Sequence, residues 1–340
     1  MATTVGTRME RKVTDMAVVR HNILKDATSI QEFADGVNLL KQDFSSGVTT
    51  AALGFPGAAM PVSTYDMFVL WHFVDMTTLT PPGNASGRNA AHRGPIFLPW
   101  HRFMLLLFEE HLRRVLGAPS FGLPYWDWGA DGDMPVPPPV LWTIDAAVGG
   151  TGEPVTTGPF GFDAMNPSAS FRVFFEQDAD TGAILLNREG RGLRRQLAQA
   201  PGFPLPTTAE VSGLLRDEPS YDNPNWNAFS LGFRNHLEGW RTPGPSTLHN
   251  GVHVWIGGDM GFATSPNDPV FYLNHCNVDR VWEAWMLQGS RTYAPTQATP
   301  GAPVRHRLVD EITSFVSQAT TTPAEMLDVQ ALYTYDALPA

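Results

Sequence analysis

Residues 248–258, LHNGVHVWIGG, and residues 265–282, SPNDPVFYLNHCNVDRVW, decide how this chain folds. His249 and His253 stand four apart. On a helix that spacing puts both rings on one face, one turn apart. Leu248, Val252, Val254, Trp255 and Ile256 crowd around them, so a solvated polar face is hard to find. In the second stretch Asp268 suits a helix N-cap and Pro269 the first helical position. His275, Asp279 and Trp282 then share one stripe of a helix that is apolar almost all round, and such a helix is buried. A buried histidine needs a partner. Three of them on two neighbouring helices are costly unless something binds them.

The N-terminal half repeats the theme. Ser63 to Met76 reads as a helix capped by Ser63 or Thr64, with His72 mid-helix in FVLWHF. His92 lies in the loop Thr80 to Gly94, which Pro81-Pro82-Gly83 breaks hard. His101 opens the clearest helix of the chain, Pro99 to Leu116, whose Arg113-Arg114 suit the dipole and whose Gly117 ends it. His72, His92 and His101 therefore form a second set of three. Neutral imidazole ligates copper, zinc, iron and nickel, and two all-histidine triads without thiolate or carboxylate favour copper most. Each ion would keep an open face.

Two other metal readings fail. A zinc-protease helix needs Glu directly after its first histidine, and that position is Asn250. A di-iron bundle needs Glu-x-x-His pairs, but Phe108 and Tyr272 stand three residues before His111 and His275. The remaining histidines read as structural. His111 points to another helix face than His101, His21 and His306 lie in polar stretches, and His236 precedes Glu238 by two.

Composition sets the outer bounds. The 340 residues carry a net charge of −11, against a general nucleic-acid binder or a polybasic membrane binder. Hydrophobic residues make up 43% and charged ones 17%, enough for a sizeable core. One cysteine forms no internal disulfide and no thiolate cluster. No apolar run is long enough to span a bilayer, and the first residues lack a secretory h-region. The sequence thus predicts a cytoplasmic protein, or one exported only with a partner.

Along the chain, residues 1–20 read as a loose lead-in, Ser29 to Phe44 as a helix capped by Ser29, and Gly54 to Pro61 as a loop. About 129–224 reads as a long loop-rich excursion punctuated by Pro135 to Pro139, Gly149-Gly150 and Gly158-Pro159. Short strands are expected around Phe171–Phe175 and Ala183–Leu186, and short helices near Thr208–Leu215 and Ala324–Leu332. The whole predicts one mainly α domain over 1–340.

These residues carry a family resemblance. WH at 71–72, NAAHRGPIFLPWHRF at 89–103, LPYWDW at 123–128, LEGW at 237–240, the two opening stretches and YTYD at 333–336 resemble the type-3 copper proteins, bacterial tyrosinases above all. The resemblance spans nearly the whole chain. It implies a four-helix bundle holding two coppers, the first on His72, His92 and His101, the second on His249, His253 and His275. It implies a phenol oxidase that hydroxylates monophenols and oxidises o-diphenols to o-quinones with O2. An o-aminophenol oxidase of pigment metabolism and a catechol oxidase share the same centre, as does, more remotely, an oxygen carrier resembling haemocyanins.

The resemblance also implies roles around the coppers. Glu238 and Asn250 match the pair thought to hold a water that deprotonates a phenol. The alternative for Glu238 is a surface ion pair with Arg234 or Arg241, and for Asn250 a hydrogen bond to backbone. Phe97 and Phe271 stand where relatives pack aromatics on the ligand rings. Asp279 would orient an imidazole N–H. Trp240, Val254 and Ala263, in the Phe262–Ser265 loop, complete the candidate pocket. Asn274 replaces the first of a His-His pair common in relatives. No cysteine precedes His92 to cross-link it, and Cys276 reads as a small buried residue. The stretch after His275 is too short for the shielding domain of latent relatives. Such an enzyme would be open, or covered by a small copper-delivering caddie partner.

Overall fold

Aromatic side chains from two long helices and from the stretch before a short strand meet at Tyr65, whose ring packs edge-on against Phe108, Phe171 and Tyr272. The elements that bring them together come from the whole length of the chain. The computed structural model describes residues 7–8, 17–24, 27–134, 141–142, 148–200, 202–240, 247–289 and 291–340.

In chain order, β1 (Thr7–Arg8) and β2 (Val18–Arg20) precede α1 (Ala27–Gln42), α2 (Thr64–Thr77) and α3 (Phe97–Leu116). Then come α4 (Trp128–Gly132), β3 (Val173–Gln177), β4 (Ile184–Arg191) and α5 (Thr208–Asp217). The last part holds α6 (Phe233–Glu238), α7 (Leu248–Ile256), α8 (Val270–Gln288), β5 (Ile312–Thr313), β6 (Ala319–Thr321) and β7 (Tyr333–Tyr335). The fold is mainly α, and α2, α3, α7 and α8 form the four-helix core.

Local chemistry explains these boundaries. The Ser63 hydroxyl accepts the Asp66 N–H and starts α2, which is buried from Thr64 to Phe73 because it is apolar on every side. Gly117 ends α3 in the left-handed conformation at φ 62°. The Asp268 carboxylate accepts the Val270 N–H at 3.0 Å, so α8 begins one residue after Pro269. That carboxylate is also gripped by Arg195 through two 2.6 Å contacts, both side chains fully buried.

Three expectations need correcting. Ser29 is not a cap, because α1 already begins at Ala27. The lead-in is not loose at its end, because β2 pairs in parallel with β7, and a parallel partner more than 300 residues away leaves no local signal. Ala324–Leu332 is not a helix. Pro323–Met326 makes one 3-10 turn, started by a reciprocal Thr322–Glu325 capping box, before β7 draws the chain back into extended form.

The excursion forms a β3–β4 antiparallel hairpin with an irregularity between Val173 and Phe175, then α5 behind a Thr207–Glu210 capping box. Pro135 to Pro139 lie outside the described residues, as does Arg241. No described helix is long and apolar enough to cross a membrane.

Candidate metal centre

His72 comes from the middle of α2, His101 from the first turns of α3, His249 and His253 from α7, and His275 from α8. His92 alone sits in a loop. Within each triad the ligating nitrogens lie within 4.8 Å of one another. The triads face each other, and the rings of His101 and His275 stack across the gap.

Backbone carbonyls aim most of these rings. Nδ1 of His72 lies 2.6 Å from the Ala263 carbonyl, that of His101 2.8 Å from Phe97, and that of His253 2.8 Å from Met260. Nδ1 of His249 lies 3.0 Å from Asn250 Oδ1 and 3.2 Å from the Glu238 carbonyl. A carbonyl only accepts, so each Nδ1 carries the proton and donates it, which leaves a lone pair on each Nε2. Nε2 of His72, His101 and His253 is buried and has no partner in the protein. Nε2 of His249 and His275 face each other at 3.1 Å.

Buried lone pairs without donors are costly. Here they converge in threes, and all-imidazole donor sets suit copper. Burial pushes all six rings toward the neutral form a metal requires, His72 to about 3 and His253 to about 4.

A family model described as the common central domain of tyrosinase matches residues 62–288. The chain belongs to the tyrosinase family. It is 41% identical to a tyrosinase of Streptomyces glaucescens, over 80% of this chain and 88% of that one. It is 37% identical to grixazone synthase of Streptomyces griseus, over 80% of this chain and 90% of that one. Among solved structures, a polyphenol oxidase variant from Thermothelomyces thermophila shares the fold at a TM-score of 0.63 and 23% identity, covering 95% and 89% of the two chains. As a tyrosinase-family enzyme this is a copper-dependent phenol oxidoreductase, with one copper for each histidine triad.

The tyrosinase motifs place the other candidates unevenly. Phe97 packs on His101 and His249 at 4.7 and 4.9 Å, and Phe271 on His275 and His72 at 4.2 and 5.0 Å. Ala263 holds His72 through its carbonyl, while its own N–H donates to Gln177 of β3 at 2.8 Å, so the hairpin braces the first copper site. The Trp240 ring lies under the Arg93 guanidinium at 4.4 Å. Val254 is half-buried on α7. Asn274 is fully buried, and neither of its amide atoms has a protein partner.

Asp279 does not orient an imidazole. Its carboxylate accepts from Arg102 and Tyr333 at 2.5 Å and from Arg20 at 3.2 Å, with Tyr335 as a fourth donor. His275 Nδ1 has no partner. The i, i+4 spacing put both on one stripe, but two arginines compete better for a buried carboxylate than a neutral ring does.

The pair for Glu238 is Arg234, at 2.9 Å, yet both side chains are fully buried rather than on the surface. Asp222 holds the other edge of that guanidinium at 2.7 and 2.9 Å. Asp222 was not foreseen in the sequence, and neither was Asp75. Asp75 Oδ2 accepts from both Trp71 and Trp100, at 2.9 and 2.7 Å, fixing the tryptophans that directly precede His72 and His101. The i, i+4 spacing from Trp71 to Asp75 was the available signal.

Proposed function

We propose that this enzyme hydroxylates monophenols ortho to the phenol oxygen and oxidises the resulting o-diphenols to o-quinones, with Glu238 and Asn250 handling the phenol proton. The observation that carries this is the arrangement of polar atoms at the junction of α6 and α7. Glu238 Oε1 accepts the Arg93 N–H at 2.6 Å, and Oε2 accepts from Arg234. Asn250 spends its Oδ1 on His249, so its buried Nδ2 is left without a protein partner. A water that accepts from Asn250 Nδ2 and donates to Glu238 suits this pairing of one donor with one anion. Such a water takes the phenol proton and passes it to the carboxylate.

Copper at the two triads supplies the two electrons that activate dioxygen toward a phenol. The chain's own residues do the rest. The Nδ1–H groups of His72, His101, His249 and His253 hold the rings in place. Phe97 and Phe271 wall the centre with apolar surface and exclude water. Gly239 lets α6 end directly against α7. Its φ is 101°, and a Cβ there would lie 2.1 Å from the Thr247 carbonyl oxygen and 2.9 Å from Asn250 Cβ.

A second reading, o-aminophenol oxidation in pigment formation, is supported by the likeness to grixazone synthase, a relative named for its product. Delivery of copper by a small partner protein also belongs to the proposal, because five of the six histidines are buried and His253 is only partly exposed. Equally fast loading by free copper and by any carrier would count against delivery.

Oxygen uptake on a monophenol, a catechol and o-aminophenol, for the wild type and Glu238→Gln, tests the main reading. A general base in reach contributes ~10²–10⁴-fold, so the variant is expected to lose that much on the monophenol while the catechol rate changes little. Equal losses on both would overturn the role of Glu238. Turnover of o-aminophenol without monophenol uptake by the wild type would establish the second reading.

A further inference from the structure

His306 lies in a polar stretch of the sequence, yet it is completely buried. Its ring bridges the two ends of the loop that carries His92. Nε2 lies 2.7 Å from Thr80 Oγ1, at the start of that loop. Nδ1 accepts the N–H of Ile96, at its end and directly before α3, at 3.4 Å. Because Nδ1 accepts, the proton sits on Nε2 and is donated to Thr80, so only a neutral imidazole makes both contacts.

The clasp is itself braced. Tyr293 donates to the His306 carbonyl at 2.7 Å, Tyr221 to the Pro95 carbonyl at 2.6 Å, and Arg88 to the Thr80 carbonyl at 3.1 Å. Gly94 leaves room for the ring, since a Cβ there would lie 2.8 Å from His306 Cε1.

The clasp bears on one ligand in particular. His72, His101, His249 and His253 each have a ring nitrogen aimed by an oxygen, and His275 rides on a long buried helix. His92 has neither support. It sits in the loop, and its Nδ1 has no partner. Its ring is therefore placed by the loop backbone. Within that loop, the Asn89 carboxamide oxygen accepts the N–H groups of Ala91 and His92 at 3.1 and 2.7 Å.

We propose that His306 is a positioning residue for copper binding: by clasping Thr80 and Ile96 it fixes the His92 loop and so sets the copper affinity of the first triad, not the second. The clasp acts through backbone placement, as the partners of metal ligands do elsewhere, where their loss costs ~10–100-fold in affinity.

The test resolves the two sites by disabling one at a time. His253→Ala leaves the first triad intact, and His72→Ala leaves the second, since the His72 ring touches no histidine of that triad. Into each background Thr80→Val is introduced, which keeps the side chain's shape and removes the acceptor for His306. His306→Ala serves as the stronger variant. Copper release to a chelator is followed by metal analysis, with circular dichroism confirming the fold. Copper is expected to leave the first site at least ~10-fold faster in Thr80→Val and to leave the second at an unchanged rate. Equal acceleration at both sites, or none at either, would overturn the proposal. If His306→Ala fails to fold, Thr80→Val still decides.

Discussion

The rings of His101 and His275 stack face to face, with centroids 4.2 Å apart and planes within 9°. One belongs to α3 and the first triad, the other to α8 and the second. This contact is where the two halves of the chain, which share no repeat in sequence, become one centre. Substituting either ring with Ala removes a ligand from one triad and a packing partner from the other. Each variant is expected to keep one copper or less per chain and to lose oxygen uptake. Two retained coppers in either, by metal analysis, would contradict the assignment.

Asp268 and Arg195 form a fully buried pair that also starts α8. Asp268→Asn leaves an arginine buried without its counter-charge, at an expected cost of ~3–5 kcal/mol. Urea unfolding of the copper-free protein measures it. A cost below about 1 kcal/mol would place the pair with exposed salt bridges and contradict its burial.

Asp279 separates two roles that spacing alone confuses. It ties Arg20, Arg102, Tyr333 and Tyr335 together, and so joins β2 and β7 to α3 and α8. Asp279→Asn is therefore expected to destabilise the fold by ~3–5 kcal/mol while the folded fraction still binds two coppers. Selective loss of the second copper at unchanged stability would restore the imidazole-orienting role.

Acid sensitivity of the copper-free protein follows from burial. His72 and His253 are pushed down to about 3 and 4, and His92, His101, His111, His249, His275 and His306 also move down because they are desolvated. In the unfolded chain these groups titrate near ~6.5. Below that pH the unfolded chain takes up protons that the folded chain refuses until far lower, so stability falls as pH drops through this window. Asp131 and Asp222, raised to about 6 by burial, and Asp75, also raised, work in the opposite sense but are outnumbered. The urea midpoint is expected to decline steadily from pH 7 to pH 4. A flat profile across that range would contradict the burial of neutral histidines.

How much of this could be read in the residues depends on the distance over which each interaction acts. His249 and His253 were readable because one helical turn relates them. His275 followed from a helix apolar on all sides. The start of α2 and the end of α3 followed from Ser63 and Gly117, which act within a turn, whereas α3 begins at Phe97, two residues before Pro99. His306 was not readable, because its partners Thr80 and Ile96 lie more than 200 residues away and the stretch around it is polar. Asp222 stayed hidden in a loop-rich segment, where no periodicity says which side chain turns inward. The β2–β7 pairing joins opposite ends of the chain, and Asp279 went to arginines from two other segments rather than to the ring one turn away.

The most direct test is a copper titration of the metal-free protein, with bound copper and oxygen uptake on a phenolic substrate read together. Both triads are required, so uptake is expected to stay low at one copper per chain and to reach its plateau at two. A plateau at one copper, or uptake by the metal-free chain, would contradict a dicopper centre built from His72, His92, His101, His249, His253 and His275.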